Sequence, residues 1–249
     1  MYSSEVLEDS NIDIRFPLDS SEDTVLMFLC GVHGVGKTSI AKRLPELFEE
    51  IGAEAYYIRE MNRKPNLKAG TPEFQEWYAK RMDWRDNSIA GQLNPFAMVR
   101  PEILIMDRIK QDVDVYTNIE RWDDKEFITE LAHDLVFELR QWADFYRDRE
   151  GEFIHVYCFL IYRDVEDVMM SLRARMLEAG QEQRKGWDED NIDRWIKLYQ
   201  LFKYVWVKAQ YIVENMKEYS HDNIYIILKK NDNIEQSAED IVEEVRLLW

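Results

Sequence analysis

The chain has little cysteine, glycine or proline for its 249 residues, and it contains no apolar run of 18 residues. Its two cysteines, Cys30 and Cys158, are too few for a disulfide framework, and both lie in apolar runs, so we expect two buried free thiols in a reducing compartment. Without a long apolar run the sequence predicts no membrane-spanning helix. Residues 1–23 are acidic and polar, unlike a secretory leader. These features favour a cytoplasmic protein.

Basic residues are also scarce, because 32 Lys and Arg stand against 49 Asp and Glu, for a net charge of −17. Surfaces that bind nucleic acid are normally basic, so this balance argues against a nucleic-acid partner. A local group of arginines can still bind a small anionic substrate. With 46% apolar residues the chain can bury a large core. We expect an acidic N-terminal arm at 1–23 and one domain at 24–249.

Residues 31–38, Gly-Val-His-Gly-Val-Gly-Lys-Thr, fit the pattern G-x-x-x-x-G-K-[ST] at every fixed position. The apolar run 25–30 precedes them and a segment with helical spacing follows, which is the context that this phosphate-binding loop requires. Backbone N–H groups of the loop and the N-terminus of the helix would hold phosphate. We therefore predict binding of ATP and Mg²⁺, with Lys37 on the outer phosphates and Thr38 on the metal. The predicted nucleotide-binding residues are Gly31, His33, Gly34, Val35, Gly36, Lys37, Thr38 and Ser39.

Strand and helix patterns alternate along the rest of the chain, which is typical of a parallel sheet. The sequence predicts an α/β protein with the three-layer P-loop NTPase fold, a five-stranded parallel sheet flanked by helices, and a lid segment. The predicted strands are 24–30, 53–58, 103–106, 153–162 and 224–228. The predicted helices are 37–51, 73–91, 124–148, 164–179, 188–219 and 234–248.

Charged residues follow the second and third predicted strands. Open parallel sheets bind ligands at the carboxyl ends of their strands, so these residues are candidates for the site. Asp107 would support Mg²⁺ together with Thr38, or else it is a strand-end acid in a turn. Glu60 would act as a general base or orient the acceptor, or else it is solvated. Arg173 and Arg175 belong to a predicted lid at about 173–187 that closes over the γ-phosphate, or else to a solvated helix face.

These motifs, in this order, resemble the thymidylate kinase and deoxynucleoside kinase group of P-loop phosphotransferases over about residues 24–230. The resemblance implies that Arg108 contacts the acceptor or its phosphate, that Glu60 lies by the reacting oxygen, and that Arg173 and Arg175 clamp the donor phosphates. It also implies a substrate role for Arg59. The chain has Met61 to Pro65 where thymidylate kinases have Pro-Gly-Gly, so the acceptor stays open between a nucleoside and a nucleoside monophosphate.

By the same analogy the helix at 73–91 lines the acceptor pocket. Its residues Phe74, Tyr78, Arg81 and Arg85 share one face through their spacing of i, i+4, i+7 and i+11. An aromatic ring there can stack on a base, and an arginine can hold a phosphate. Core packing explains the aromatic residues equally well.

The helix at 188–219 has an apolar face wider than one sheet surface needs. It is either buried on two sides within the domain or part of a homodimer interface. The leading functional prediction is a kinase that moves the γ-phosphoryl group of ATP to a nucleoside or nucleoside monophosphate. The alternatives are a regulatory NTP-binding switch that acts through a protein partner, and a polynucleotide 5′-hydroxyl kinase, which the net acidity disfavours.

Overall fold

The computed structural model describes residues 24–58, 71–92, 102–144, 154–179, 192–215 and 223–248. Within these ranges, five strands and seven α-helices alternate along the chain. The strands are β1 (Thr24–Cys30), β2 (Ala55–Ile58), β3 (Ile103–Asp107), β4 (Ile154–Tyr162) and β5 (Ile224–Lys230). The helices are α1 (Lys37–Glu50), α2 (Pro72–Gln92), α3 (Gln111–Thr117), α4 (Lys125–Ala143), α5 (Val165–Ala179), α6 (Ile192–Asn215) and α7 (Ile234–Leu248).

The strands form one parallel sheet in the order β2-β3-β1-β4-β5. Strand β1 is central and every one of its residues is buried, because helices cover both faces of a sheet of this kind. Leu29 pairs with Asp107 of β3, and Cys30 pairs with Leu160 of β4. The end of β1 therefore meets the ends of two neighbouring strands at one edge. The predicted α/β fold with a five-stranded parallel sheet is confirmed.

The predicted strands and helices are present with small shifts at their ends. Strand β2 begins at Ala55 rather than 53, and α6 is described from Ile192 to Asn215 rather than over 188–219. Helix α3 and the 3₁₀ turn Ile119–Arg121 were not predicted. A seven-residue helix gives too few turns for an apolar period to show, and this one carries two acidic residues, Asp112 and Asp114.

The two cysteines are buried and free, as predicted. The Sγ atoms of Cys30 and Cys158 lie 3.8 Å apart on neighbouring strands. Burial is the main cause that raises the pKa of the Cys30 thiol, because it disfavours the thiolate. Among the described residues no helix combines the length and the hydropathy needed to cross a bilayer. A cytoplasmic location stays a prediction.

Helix α6 packs within the domain on several neighbours. It contacts α4, β5 and α3, and its buried residues include Trp195, Phe202 and Trp206, which are fully enclosed. Burial on two sides therefore accounts for most of the wide apolar face. A homodimer through this helix stays a prediction.

Candidate nucleotide-binding site

The loop between β1 and α1 has the backbone conformation that its glycines allow. Gly31, Gly34 and Gly36 all have positive φ, at 124°, 88° and 95°. A Cβ atom added to Gly31 would lie 2.5 Å from the carbonyl oxygen of Ile161, at the end of β4. The loop is therefore packed tightly on the edge of the sheet, and at Gly31 this packing leaves no room for a side chain.

Lys37 lies at the first position of α1 and is only 5% exposed. Its Nζ atom donates hydrogen bonds to the carbonyl oxygens of Gly31 and Val32, at 2.8 and 2.7 Å. The ammonium group is thus held inside the loop, next to the positive end of the helix dipole. This combination of a buried cation and a helix N-terminus suits a phosphate group.

Thr38 and Asp107 meet at the carboxyl edge of the sheet. The Thr38 hydroxyl donates to Asp107 Oδ2 at 2.8 Å, and the Tyr57 hydroxyl donates to the same oxygen at 3.2 Å. Asp107 is fully buried, and its Oδ1 atom has no hydrogen-bond partner among the described residues. Burying a carboxylate oxygen without a hydrogen-bond donor costs free energy, unless a cation or a donor contacts that oxygen.

The Thr38 and Asp107 pair fits a magnesium ion that is bound together with nucleotide phosphates. Mg²⁺ prefers oxygen ligands and in such sites uses one or two carboxylates, with phosphate and water completing its shell. The described residues contain no group of three or more His, Cys, Asp or Glu that could hold a metal.

Arg108 follows Asp107 in a strained backbone conformation. Its φ of 71° makes it the one non-glycine residue with positive φ in the described part of the chain. The guanidinium forms an ion pair with the fully buried Asp112 at 3.2 Å and lies 5.1 Å from the ring centroid of Tyr116. Such strain persists only where surrounding contacts impose it, and it is frequent at functional sites.

Three residues that the sequence analysis did not select hold the loop from outside. The His33 N–H donates to the Tyr116 hydroxyl at 2.9 Å, and Trp195 Nε1 donates to the His33 carbonyl at 3.4 Å. Asn231 Nδ2 donates to the Val35 carbonyl at 2.6 Å. His33 therefore anchors the loop through its backbone, and its predicted contact with nucleotide stays a prediction. No local sequence pattern marks these partners, because they lie on distant elements.

We expect Asn231→Ala to weaken ATP binding. The substitution leaves the buried Val35 carbonyl without its donor, which costs about 1–3 kcal/mol of folding free energy. Because the loop loses its fixed position, the Kd for ATP should rise about tenfold, equivalent to about 1.4 kcal/mol. Isothermal titration calorimetry would measure this change.

Asn223→Ala is the matched control for this prediction. Asn223 Nδ2 donates to the Ile154 carbonyl at 2.8 Å, at the opposite end of β5 from Asn231. The control should lower stability while leaving the Kd for ATP unchanged. An equal rise in Kd in both variants would contradict a specific role of Asn231 in positioning the loop.

The predicted acceptor residues of α2 occupy different environments. Phe74 is buried and stacks on Tyr78 with centroids 5.9 Å apart, while the Arg81 guanidinium lies 5.4 Å from the ring of Trp77. Arg85 is only 2% exposed, and it donates to the Asp107 carbonyl oxygen at 2.9 Å. Arg85 therefore stabilises the C-terminal end of β3 through a hydrogen bond to its backbone. Substrate binding by Phe74, Tyr78, Arg81 and Arg85 stays a prediction.

An acidic cavity of about 430 Å³ lies between α2, α3 and α4. Arg85 forms an ion pair at 2.8 Å with Asp86, one of the residues that line it. Burial is the largest cause that raises the pKa of Glu138 in this cavity to about 7, and the charge of Asp86 adds to it. Above that pH Glu138 is a poorly solvated carboxylate close to the carboxylate of Asp86, and this lowers the stability of the fold.

Glu138→Gln is therefore expected to stabilise the protein at alkaline pH. The folded-state pKa lies above the ordinary value of 4.5, so the wild type loses stability as pH rises from about 4.5 and through 7. At pH 8 the free energy of unfolding should be up to about 3 kcal/mol larger for the variant than for the wild type. At pH 5 this difference should be small. Urea denaturation at both pH values measures this, with the exposed Glu130→Gln on the same helix as control. A gain that does not depend on pH, or an equal gain in the control, would contradict it.

Several predicted site residues lie outside what the structure describes. These are Arg59 and Glu60, and the part of the lid from 180 to 187. Arg173 and Arg175 lie within α5, but their side chains are outside the described part. Their predicted catalytic and substrate roles stay predictions, as does the acidic arm at 1–23.

No family model matches the chain, and no curated protein matches it. Solved structures that are similar to it include polyphosphate kinase 2 from Arthrobacter aurescens TC1, at 12% identity and a TM-score of 0.47, with 92% of this chain and 68% of that one covered. EHV4-TK complexed with TP4A is 12% identical with a TM-score of 0.45, over 90% of each chain. Deoxyadenosine kinase from M. mycoides with bound dATP is 14% identical with a TM-score of 0.38, over 90% of this chain and 99% of that one.

The TM-scores are below 0.5 and the identities are 12–14%, so these similarities support no statement about the activity or the acceptor of this chain. The function of this chain is therefore inferred from the residues of the loop and of the carboxyl edge of the sheet.

Proposed function

We propose that this chain is an ATP- and Mg²⁺-dependent phosphotransferase that acts on a nucleoside or a nucleoside monophosphate. The observation that carries the proposal is the hydrogen bond between Thr38 and Asp107, which joins the phosphate-binding loop to the end of β3. The Thr38 hydroxyl, which would hold magnesium, lies at the same edge of the sheet as the buried Asp107 carboxylate and the Lys37 ammonium. These are the groups that phosphoryl transfer requires on the donor side.

The donor side acts by positioning phosphate and neutralising its charge. The loop backbone and the N-terminus of α1 bind the phosphates, and Lys37 lies where it can stabilise charge on the outer ones. Thr38 and Asp107 would hold the magnesium ion, which would offset the negative charge of the phosphates. Because little covalent chemistry is required of the protein, electrostatic positioning accounts for most of the catalysis.

The acceptor side of the proposal rests on Arg108. Its guanidinium is fixed by Asp112 and by the ring of Tyr116, immediately after the Asp107 that serves the donor side. A fixed guanidinium at this point can bind an acceptor phosphate or hydroxyl and hold it in line with the donor. The strained φ of Arg108 is consistent with a residue placed for function rather than for stability.

The roles proposed for Glu60, Arg173 and Arg175 rest on sequence order alone. Glu60 would receive the proton of the attacking hydroxyl, or orient that hydroxyl. The two arginines of α5 would clamp the donor phosphates and help exclude water as the lid closes. The net charge of −17 disfavours a polynucleotide as the acceptor. A small anionic acceptor could still be bound by local arginines.

The proposal is tested by ADP formation from ATP and Mg²⁺ in the presence of a panel of nucleosides, deoxynucleosides and their monophosphates. We expect one acceptor class to stimulate ADP formation strongly above the rate without acceptor. Nucleosides and monophosphates are compared for each base, so that the phosphorylation state and the base are read separately. Nucleotide binding without stimulation by any member of the panel would contradict the proposal.

A further inference from the structure

A groove of about 1010 Å³ lies between α4 and α6, away from the loop residues described above. Its apolar lining includes Trp122, Ile128 and three side chains of α6 that are about half exposed. These are Tyr204, Val207 and Tyr211, at 46%, 45% and 57% exposure. They stand at i, i+3 and i+7, so they form one stripe along the helix. A contiguous apolar stripe of this kind usually marks a binding surface.

The rim of the groove is basic, although the chain as a whole is strongly acidic. Lys125, Lys203 and Lys208 line it together with a single acid, Asp123. None of the three lysines forms an ion pair with a described residue, whereas most of the described arginines do. On a chain with 49 acidic residues, three such lysines around one groove call for an acidic occupant.

The chain carries a segment with the matching composition. Residues 1–23 contain seven carboxylates and a single basic residue, Arg15. The acids alternate with apolar residues, of which Val6, Leu7, Ile12, Ile14, Phe16 and Leu18 are examples. Carboxylates could pair with the lysines of the rim while apolar side chains cover the stripe on α6.

The extended arm is long enough to reach the far side of a domain of this size. It is tethered at Thr24, the first residue of β1. Twenty-three extended residues span about 75 Å. A compact domain of this size has a radius of gyration of about 18 Å, so half of its circumference is about 70 Å. The arm can therefore reach the groove along the surface of its own domain.

We infer that the acidic arm, residues 1–23, docks in the groove between α4 and α6 of its own chain. Its carboxylates pair with Lys125, Lys203 and Lys208, and its apolar residues cover the exposed stripe of α6. Docking in this way removes an apolar surface from solvent and neutralises part of the arm. It also occupies the surface of α6 through which a second copy would otherwise associate.

Limited trypsin digestion of the full chain tests this inference, because Arg15 is the one tryptic site within the arm. The appearance of fragment 1–15 is followed by mass spectrometry in the wild type and in a Lys203→Glu/Lys208→Glu variant. We expect the variant to release the fragment about fivefold faster, since two attractive charges become repulsive. Raising the salt from about 0.05 M to about 0.5 M should accelerate release from the wild type, because exposed ion pairs are screened.

A Lys42→Glu/Lys80→Glu variant is the matched control. Both lysines are exposed on other helices, and the change in net charge is the same. Its release rate should equal that of the wild type, and its thermal unfolding, like that of the groove variant, should stay cooperative. Equal rates in all three proteins would overturn the inference. A wild-type rate that falls with protein concentration would also overturn it, in favour of a second copy as the occupant.

Discussion

Lys37→Met is expected to lower ATP-dependent turnover about 100- to 1,000-fold, the usual effect of removing one charge-stabilising donor from an active site. Methionine keeps most of the side-chain length but removes the ammonium that bonds the Gly31 and Val32 carbonyls. The loss should fall mainly on kcat, because the charge on the outer phosphates increases in the transition state. Steady-state ADP formation at saturating acceptor measures the effect.

Lys42→Met is the control, since Lys42 lies on the same helix with its side chain exposed. It should retain wild-type turnover. The Lys37 variant must also be shown to fold, because two buried carbonyls lose a donor and stability falls by about 1–3 kcal/mol for each one left without a partner. Wild-type kcat in a folded Lys37→Met protein would refute the donor-side assignment.

Gly31→Ala is expected to reduce the free energy of unfolding by about 3 kcal/mol. Two effects add to this value, backbone strain at an unfavourable φ and a steric clash of the new Cβ. Its φ of 124° lies in a region that residues with a side chain rarely adopt. The new Cβ would lie 2.5 Å from the Ile161 carbonyl oxygen, which is backbone and cannot rotate away. The melting temperature should fall by about 6–12 °C, and ATP affinity should fall as the loop shifts.

Gly52→Ala separates the two causes of this effect. Gly52 also has positive φ, at 86°, but a Cβ there meets nothing within 4 Å. It should therefore show the backbone strain alone, about 1 kcal/mol, with no change in ATP affinity. Differential scanning calorimetry of both variants measures the difference. Equal melting temperatures would mean that the packing of the loop against β4 contributes little.

The donor side of the site could be predicted from the sequence because its geometry is local. The motif at 31–38 is contiguous, and the run of apolar residues before it is what a parallel strand buried on both faces requires. Asp107 could be selected for a similar reason, since an apolar strand that ends in Asp places a carboxylate at the ligand edge. Its hydrogen bond to Thr38 follows from the pairing of β1 with β3.

The supporting residues could not be predicted, because their contacts depend on tertiary structure. Tyr116 is 83 residues from His33, and Asn231 is 196 residues from Val35. Neither residue belongs to a pattern with a fixed spacing to the motif. Their role depends on the parallel direction of the strands, which brings the ends of β3 and β5 to the same edge of the sheet as the end of β1, and on the strand order. A single sequence contains no direct record of that order.

Arg85 shows a second limit of sequence reasoning. Its helical spacing places it on one face with Phe74 and Tyr78, and an arginine in that series suggests a ligand for phosphate. In the structure its guanidinium donates to the carbonyl of Asp107 and pairs with Asp86, while its binding of substrate stays a prediction. Periodicity identifies which residues share a face. It does not tell whether the face meets a substrate or the backbone of a neighbouring strand.

The central claim is that the groups around Thr38 and Asp107 transfer phosphate to an organic acceptor. The most direct test follows the γ-phosphate of isotopically labelled ATP in the presence of Mg²⁺ and each acceptor of the panel. We expect the label to appear on a nucleoside or nucleoside monophosphate with the wild type, and not with Lys37→Met. Label found only in inorganic phosphate, at a slow rate that no acceptor changes, would contradict the account and favour a nucleotide-dependent switch.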